Sequence, residues 1–207
     1  MRKLLLFIPL AALFFGGCSK KSQIEKNMTA NSIHTKFYKA INKNYLDNAD
    51  NLFLNLEAEH PGSIYIKTDL LILYIAHLNA GEYELAKFYL DQYEKRFAGI
   101  NEIPWCEYQK IRVDFLAYQN AYTNQGKILK IINECKNYKV KFPNSNFIYE
   151  VNTIYVKALL TNMYLNDKIY RLYKKEGKIK AAKKYKTEIP ENSKPPYIPW
   201  YKKIFYW

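Results

Sequence analysis

Glycine and proline are scarce in this chain of 207 residues, with seven glycines and eight prolines. These 15 residues are about 7% of the sequence, against roughly 12% in average proteins. All-β folds with many tight turns and glycine-rich phosphate loops both need more glycine, so the scarcity argues against both classes. The apolar content of 49% is enough to build a buried core and excludes wholesale disorder.

Residues that bind metals or catalyse reactions are also few. His34, His60 and His77 lie on different predicted elements, and none pairs with a cysteine or carboxylate at the spacing of a metal site. His77 falls at a helix-packing position, which favours a hydrogen-bonded core histidine. Glu57 and Glu59 lie on different sides of one helix, which favours solvated faces. We therefore expect no catalytic residue, no metal ligand and no cofactor.

The first seventeen residues have the pattern of a secretory signal peptide. Arg2 and Lys3 precede the apolar run Leu4–Phe15, which is too short to cross a bilayer as a helix. Two glycines follow, and then Cys18. This order resembles the lipobox of bacterial lipoproteins, apart from Phe15 where leucine is usual. We predict a signal peptide over 1–17 and a lipidated Cys18; the alternative is an ordinary signal with an incidental cysteine.

A polar segment over 18–31 is predicted to be a flexible tether between Cys18 and the folded part of the chain. Beyond it, Cys106 and Cys135 are the remaining cysteines. In an oxidising compartment they can form a disulfide, and they can equally remain free, buried thiols. The sequence leaves both possibilities open.

Helical repeats are predicted over residues 32–189. Asn44, Gly81 and Gly126 precede Pro61, Ala98 and Pro143, respectively, by 17 residues, and Gly177 is the turn residue of a fourth, weaker unit. Small or apolar residues recur five and nine positions after the turn residues: Ala49, Ala86, Ile131 and Ala182, and Phe53, Leu90 and Cys135. This spacing is typical of tetratricopeptide repeats. We predict an all-α fold of about four helix–turn–helix units stacked as an α-solenoid, the alternative being an unrelated helical bundle.

The same pattern of breakers and apolar spacing predicts where individual helices begin and end. The predicted helices span 32–43, 45–60, 64–80, 82–97, 104–123, 126–142, 146–165, 166–176 and 178–188.

Positive charge is concentrated near the C-terminus. Residues 168–207 contain twelve lysines and arginines but only three glutamates, whereas the whole chain has a net charge of +13. A signal peptide argues against nucleic acid as the partner. Anionic lipid headgroups, lipopolysaccharide or an acidic protein surface fit this charge, and a solvated cationic helix face is the alternative.

The last segment, 190–207, combines prolines with six aromatic residues: Tyr197, Trp200, Tyr201, Phe205, Tyr206 and Trp207. The prolines favour an extended chain. This tail either caps the apolar face of the last repeat, which we favour, or anchors a partner. The candidate partner-binding residues are Lys174, Lys175, Lys183, Lys184, Trp200, Tyr201, Phe205 and Trp207.

Taken together, the lipobox cysteine, the tether and the helical repeats resemble the BamD family, the tetratricopeptide lipoproteins of the machinery that folds β-barrels into the outer membrane. The stretches 59–97, 141–147 and 173–185 carry the likeness, and 199–207 resembles the aromatic C-terminus of short ε-class members. The resemblance covers most of 33–207. A clear fifth repeat is missing, so contacts of that repeat are not transferred.

The resemblance implies a non-enzymatic lipoprotein of the outer membrane that faces the periplasm. Its partners would be a BamA-type β-barrel protein and unfolded outer-membrane proteins. Ser19 after the cysteine fits outer-membrane sorting, also by resemblance. A repeat lipoprotein serving pilus assembly or cell-wall organisation is the alternative, and a peptidoglycan hydrolase is a more distant one.

Overall fold

A computed structural model describes residues 28–118 and 124–194. Within these ranges the chain forms eight helices and no strand, which confirms the predicted all-α, tetratricopeptide-like fold. The helices are α1 (Ala30–Asn42), α2 (Leu46–Glu59), α3 (Tyr65–Ala80), α4 (Tyr83–Phe97), α5 (Ile103–Ala117), α6 (Gln125–Lys141), α7 (Ile148–Lys175) and α8 (Ile179–Lys183).

Three of the four predicted turn residues adopt the left-handed backbone conformation between two helices. The φ angle is 57° at Asn44, 79° at Gly81 and 72° at Gly177. Glycine reaches this region without a Cβ clash, and asparagine tolerates it better than most residues. After Gly81, the amide of Glu82 donates to the carbonyl of His77 at 2.9 Å, the bond that closes a left-handed helix cap.

The predicted turn at Gly126 is wrong. This glycine lies inside the first turn of α6 and has no positive φ. The helix is capped by Asn124, whose side-chain oxygen accepts a hydrogen bond from the amide of Lys127 at 3.0 Å. An asparagine cap satisfies a helix N-terminus without requiring glycine.

The third unit is therefore offset by three residues from the predicted spacing. Counted from the first residue of each helix, Ile128 and Ile132 in α6 occupy the positions of Ala49 and Phe53 in α2. Ile131 is nevertheless buried, as predicted. A slip of three residues nearly completes a helical turn and stays on the same face, so the sequence pattern hides it.

The predicted helix ends differ most at α7. Two helices were expected to meet at 165 and 166, whereas α7 continues for 28 residues because neither glycine nor proline interrupts it. The amide of Gln125 donates to the side-chain oxygens of Asn162 and Asn166, at 3.3 and 2.8 Å. These two asparagines therefore bind α6 and do not end α7.

Smaller differences occur at three other helices. Helix α1 begins at Ala30, two residues before its predicted start at 32, because the Thr29 side chain caps it. The fifth ends at Ala117 rather than 123, and 119–123 lie outside the described residues. The eighth ends at Lys183 rather than 188.

The core consists of two clusters that share α5. The first contains apolar residues of α1 to α4 together with Cys106 and Val113, and the second joins α6 and α7 to Ile111. Since α5 contributes to both, each hairpin buries its apolar face against the next one. This is the packing of a repeat array, in which each unit is stabilised by its neighbours.

Both described cysteines are free and buried. Cys106 belongs to the first cluster and Cys135 to the second. Burial raises the pKa of these thiols to about 12 and about 11, so both stay protonated at neutral pH. In the described parts of the chain, no helix combines the length and the apolarity needed to cross a membrane.

Two glycine substitutions test the corrected turn assignment. Gly81→Ala should lower the free energy of unfolding by about 1 kcal/mol, because alanine is strained at positive φ. Gly126→Ala should raise it by roughly 0.5 kcal/mol, since alanine is the better helix former and its Cβ meets only ordinary contact with Asn124. Urea unfolding of both variants measures the signs; a loss at Gly126 as large as at Gly81 would restore the predicted turn.

Candidate partner-binding surfaces

A dense cluster of exposed lysines covers the end of α7, the turn at Gly177 and α8. Between 168 and 194 there are ten basic residues and three glutamates. Two of the basic residues are neutralised locally, by the pairs Arg171–Asp167 and Lys178–Glu176, both at 2.8 Å. We call this surface the basic cluster.

The basic cluster contains all four of the lysines predicted to bind a partner. Lys174 and Lys175 end α7, whereas Lys183 and Lys184 end α8, and all four are exposed. Among the described residues, none of these four forms an ion pair. Their charge is therefore available to an acidic partner.

Two tyrosines hold the basic cluster together. The rings of Tyr173 and Tyr185 lie 5.8 Å apart, which fastens the chain after α8 to α7. Farther on, the hydroxyl of Tyr164 donates to the carbonyl of Ser193 at 2.8 Å, so the start of the tail folds back along α7. The predicted partner-binding aromatics Trp200, Tyr201, Phe205 and Trp207 lie outside the described residues, as does Cys18.

A second candidate surface, not predicted from the sequence, consists of exposed apolar side chains on the odd-numbered helices. Each of these helices carries exposed apolar side chains, among them Tyr38, Ile75, Leu116 and Val156, and α7 also carries Tyr149 and Leu172. Tyr38 and Ile75 each stand six residues before a left-handed turn residue and so occupy equivalent places. A row of apolar side chains can bind an extended chain segment by burying apolar surface. We call it the apolar row.

The sequence of α3 already indicates part of the apolar row. The middle of this helix is apolar on every side: Leu71 and Ile72 pack partly against the first core cluster, whereas Ile75 is exposed. A helix that is apolar all round is normally covered on all sides. The excess on the outer side therefore points to a binding surface.

His77 is a buried, fully hydrogen-bonded core histidine, as predicted. Its Nδ1 lies 2.5 Å from a carboxylate oxygen of Glu82, and its Nε2 lies 3.0 Å from Asp50 of α2. The Tyr89 hydroxyl donates to the same Asp50 oxygen at 2.7 Å, and the Tyr89 ring stacks on the imidazole. Because carboxylates face both ring nitrogens, this geometry favours the doubly protonated imidazole.

The environment of His77 stabilises this charged form. Burial lowers the pKa of His77, but hydrogen bonds and charge from Asp50 and Glu82 outweigh it and raise the pKa above its usual value. Burial, with Asp50 adding to it, also raises the pKa of Tyr89, which keeps this hydroxyl a donor. The network joins the first hairpin to the second.

Ion pairs join the later hairpins in the same way. Lys110 of α5 lies 2.6 Å from Glu94 of α4 and 3.1 Å from Glu107. Asp114 of α5 accepts from Lys87 of α4 at 2.6 Å and from Lys130 of α6 at 3.1 Å. These partly buried pairs fix how neighbouring helices are arranged.

Glu57 remains partly in solvent, as predicted, and in addition forms an ion pair. Glu57 is half-buried and pairs with Arg96 of α4, whereas Glu59 is exposed as predicted. His34 pairs with the buried carboxylate of Asp69 at 2.9 Å. Across 28–118 and 124–194, no group of three or more histidine, cysteine or acidic residues is placed to hold a metal ion.

The comparison with known proteins identifies the family. The outer membrane protein assembly factor BamD of Helicobacter pylori (strain ATCC 700392 / 26695) is 32% identical over 214 residues, an alignment that covers 99% of this chain and 97% of the relative. The chain belongs to the BamD family. No model of a known protein family matches the sequence. The resemblance noted in the sequence is thus confirmed across the whole length of this BamD-family chain.

His77→Gln should destabilise the fold by about 2 kcal/mol near pH 6, because the charge-assisted hydrogen bonds from the imidazole to Asp50 and Glu82 are lost. A raised folded-state pKa means that the stabilisation is fully present below the unfolded value of about 6.5 and is lost as pH rises through the folded value. Urea unfolding between pH 5.5 and 9 should therefore show the two proteins converging at high pH.

Tyr89→Phe is the matched control for this pH dependence. It removes one hydrogen bond to Asp50 but leaves both carboxylates on the histidine. Its stability should fall by about 1 kcal/mol with an unchanged pH dependence. If the unfolding free energies of wild type and His77→Gln changed with pH in parallel, a doubly protonated His77 would be contradicted.

Proposed function

We propose that this protein is a lipid-anchored, periplasm-facing subunit of the outer-membrane β-barrel assembly complex. It would aid the folding and insertion of outer-membrane proteins by binding, without catalysing a reaction. The observation that carries this proposal is the match of nearly the whole chain to a protein named as the outer membrane protein assembly factor BamD. The stack of helical hairpins supports it, because such stacks present extended binding surfaces.

Lipidation of Cys18 supplies the anchor in this proposal. The order of a basic start, a short apolar run, two glycines and a cysteine supports it. Each buried acyl CH₂ contributes about 0.8 kcal/mol, so several chains on one cysteine hold the protein at the membrane. The outer membrane and its periplasmic side are proposed from the relative's name and from Ser19.

The two surfaces suit two different partners. The basic cluster fits an acidic, folded surface, and we assign it to a BamA-type barrel protein, with Lys174, Lys175, Lys183 and Lys184 as its charges. The apolar row fits segments of unfolded outer-membrane proteins, whose strands alternate apolar and polar residues. Electrostatic contacts set association rate and partner choice, whereas apolar burial retains chains of varied sequence.

Changing the four lysines to glutamine should weaken recovery of a BamA-type barrel from solubilised envelopes roughly tenfold, at a few tenths of a kcal/mol for each charge. The deficit should shrink as salt rises. The matched control changes four exposed lysines elsewhere: Lys39, Lys43, Lys127 and Lys136. Pilus secretins or peptidoglycan enzymes in place of the barrel protein would contradict the proposed function and favour the alternative.

A chain ending at Ser193 tests the role of the tail while keeping the contact with Tyr164. If the aromatics cap the last repeat, which we propose, thermal unfolding monitored at 222 nm should begin at a lower temperature, because the apolar end of the stack loses its cover. Unchanged unfolding together with lost barrel recovery would assign the tail to partner docking instead.

A further inference from the structure

Consecutive helices alternate in direction, so the starts of odd helices and the ends of even helices lie along one edge. Contacts connect these ends from one unit to the next. Near α1 and α3, His60 Nε2 lies 2.8 Å from the Met28 carbonyl and the Tyr65 hydroxyl lies 3.2 Å from Asn31. Farther along, Lys67 lies 3.9 Å from Glu102, the Tyr138 hydroxyl lies 3.0 Å from the Pro104 carbonyl, and the ring centroids of Tyr108 and Phe147 lie 5.2 Å apart. We call this edge the tether edge, because Met28 is where the segment from Cys18 arrives.

The most exposed large apolar side chains of the described residues all lie on the tether edge. Ile64 is 82% exposed, Ile100 83%, Val140 84% and Tyr149 80%, and Tyr45, on the opposite edge, comes next at 61%. They belong to three successive units, at the junctions between α2 and α3, α4 and α5, and α6 and α7. Side chains projecting this far into water stabilise nothing within the fold, and their alignment points to an apolar environment along this edge.

The tether limits what that environment can be. Met28 packs against the first core cluster, and its carbonyl is held by His60, so the segment leaves from the tether edge. Met28 lies ten positions after Cys18, which allows a span of at most about 35 Å. An acyl chain on Cys18 therefore keeps this edge within about 35 Å of the bilayer surface.

Charges on the tether edge are mixed. Lys95 and Lys141 are balanced by Glu59 and Glu150, and Lys67 and Arg96 pair with Glu102 and Glu57, so electrostatic attraction to anionic lipid is weak there. The basic cluster lies at the other end of α7, which spans about 42 Å at 1.5 Å per residue. The side that faces lipid would then be apolar, and the strongly cationic side would point away.

We propose that the tether edge lies in the interfacial region of the membrane, with Ile64, Ile100, Val140 and Tyr149 inserted among the lipids. The proposal rests on the lipid anchor of the proposed function. Aliphatic residues and tyrosine suit this layer, and neighbouring lysines keep their ammonium groups in water. The apolar row and the basic cluster then remain open to the periplasm.

Depth-dependent quenching tests this orientation in the full-length lipidated protein. Single cysteines replace Ile64, Ile100 or Val140 on the tether edge, and Tyr45, Leu172 or Ile179 as exposed controls near the opposite edge. Each receives an environment-sensitive fluorophore. Cys106 and Cys135 stay unlabelled at pH 7.5 because they are buried. The proteins are incorporated into phosphatidylcholine vesicles with and without nitroxide-labelled lipid.

Quenching should be about threefold greater at the tether-edge positions than at the controls, as expected for side chains that enter 5–10 Å into the interface. Adding anionic phosphatidylglycerol to the vesicles should change this quenching ratio little. Equal or stronger quenching at the control positions would overturn the proposal, as would absent quenching at every position of a protein that floats with the vesicles. Quenching of Leu172 and Ile179 that required phosphatidylglycerol would instead place the basic cluster on the membrane.

A triple substitution provides the second measurement. Ile64→Ser, Ile100→Ser and Val140→Ser together should at least halve quenching of a fluorophore at Tyr149→Cys. The matched triple Leu54→Ser, Leu129→Ser and Leu172→Ser should leave it unchanged. All six side chains are exposed, and circular dichroism verifies that both proteins are folded. Equal quenching in both triples would overturn insertion by these residues.

Failure of the anchor is distinguishable from failure of this orientation. Mass spectrometry of Cys18 and vesicle flotation report lipidation directly. If Cys18 carries no lipid, the anchor in the proposed function fails; the same labelled proteins, attached through an N-terminal hexahistidine tag to nickel-chelating lipid, still report which edge meets the bilayer.

Discussion

The close approach of helices within and between hairpins is the constraint from which the rest of this structure follows. An isolated hairpin leaves one apolar face in water, and burying it requires the next hairpin. Small residues such as Ala49, Ala86 and Ala182 bring paired helices together, and larger ones such as Phe53 and Leu90 fill the space beside them. At about 25 cal/mol per Å² of apolar area, this repeated burial is the main source of stability.

Charged groups then determine how the hairpins are arranged. A cationic His77 between Asp50 and Glu82 joins the first two hairpins, and Asp114 between Lys87 and Lys130 joins α4, α5 and α6. A partly buried ion pair adds little net stability compared with apolar packing, but an uncompensated partner is costly. Such pairs therefore restrict how neighbouring units can slide, and this preserves the alignment of the exposed surfaces.

Much of the fold was readable from the sequence because it depends on local rules. Gly81 and Gly177 were identified as turn residues because few residues other than glycine adopt positive φ comfortably, and Ala86 because close helix contacts need a small side chain. Gly126 was wrongly predicted as a turn residue because the first turn of a helix tolerates glycine without requiring it. The continuity of α7 was missed because Asn166 forms its hydrogen bond with Gln125, a residue 41 positions away.

The candidate surfaces were predictable to different degrees. The lysines of the basic cluster are close in sequence, so their proximity in space was foreseeable. The apolar row and the tether edge bring together side chains from different units, such as Ile75 and Val156 or Ile64 and Val140, which only the stacking of hairpins aligns. The partners of His77 were hidden for the same reason, since Asp50 is 27 residues away.

The length of α7 sets the distance between the tether edge and the basic cluster. Most of the other helices have 13 to 17 residues, whereas α7 has 28, so its far end stands about 17–22 Å beyond theirs. A single unbroken helix is stiff, and removing or adding one turn would change that distance by about 5.4 Å. In the proposed complex, a partner that binds the basic cluster would meet these lysines at a defined distance from the tether edge.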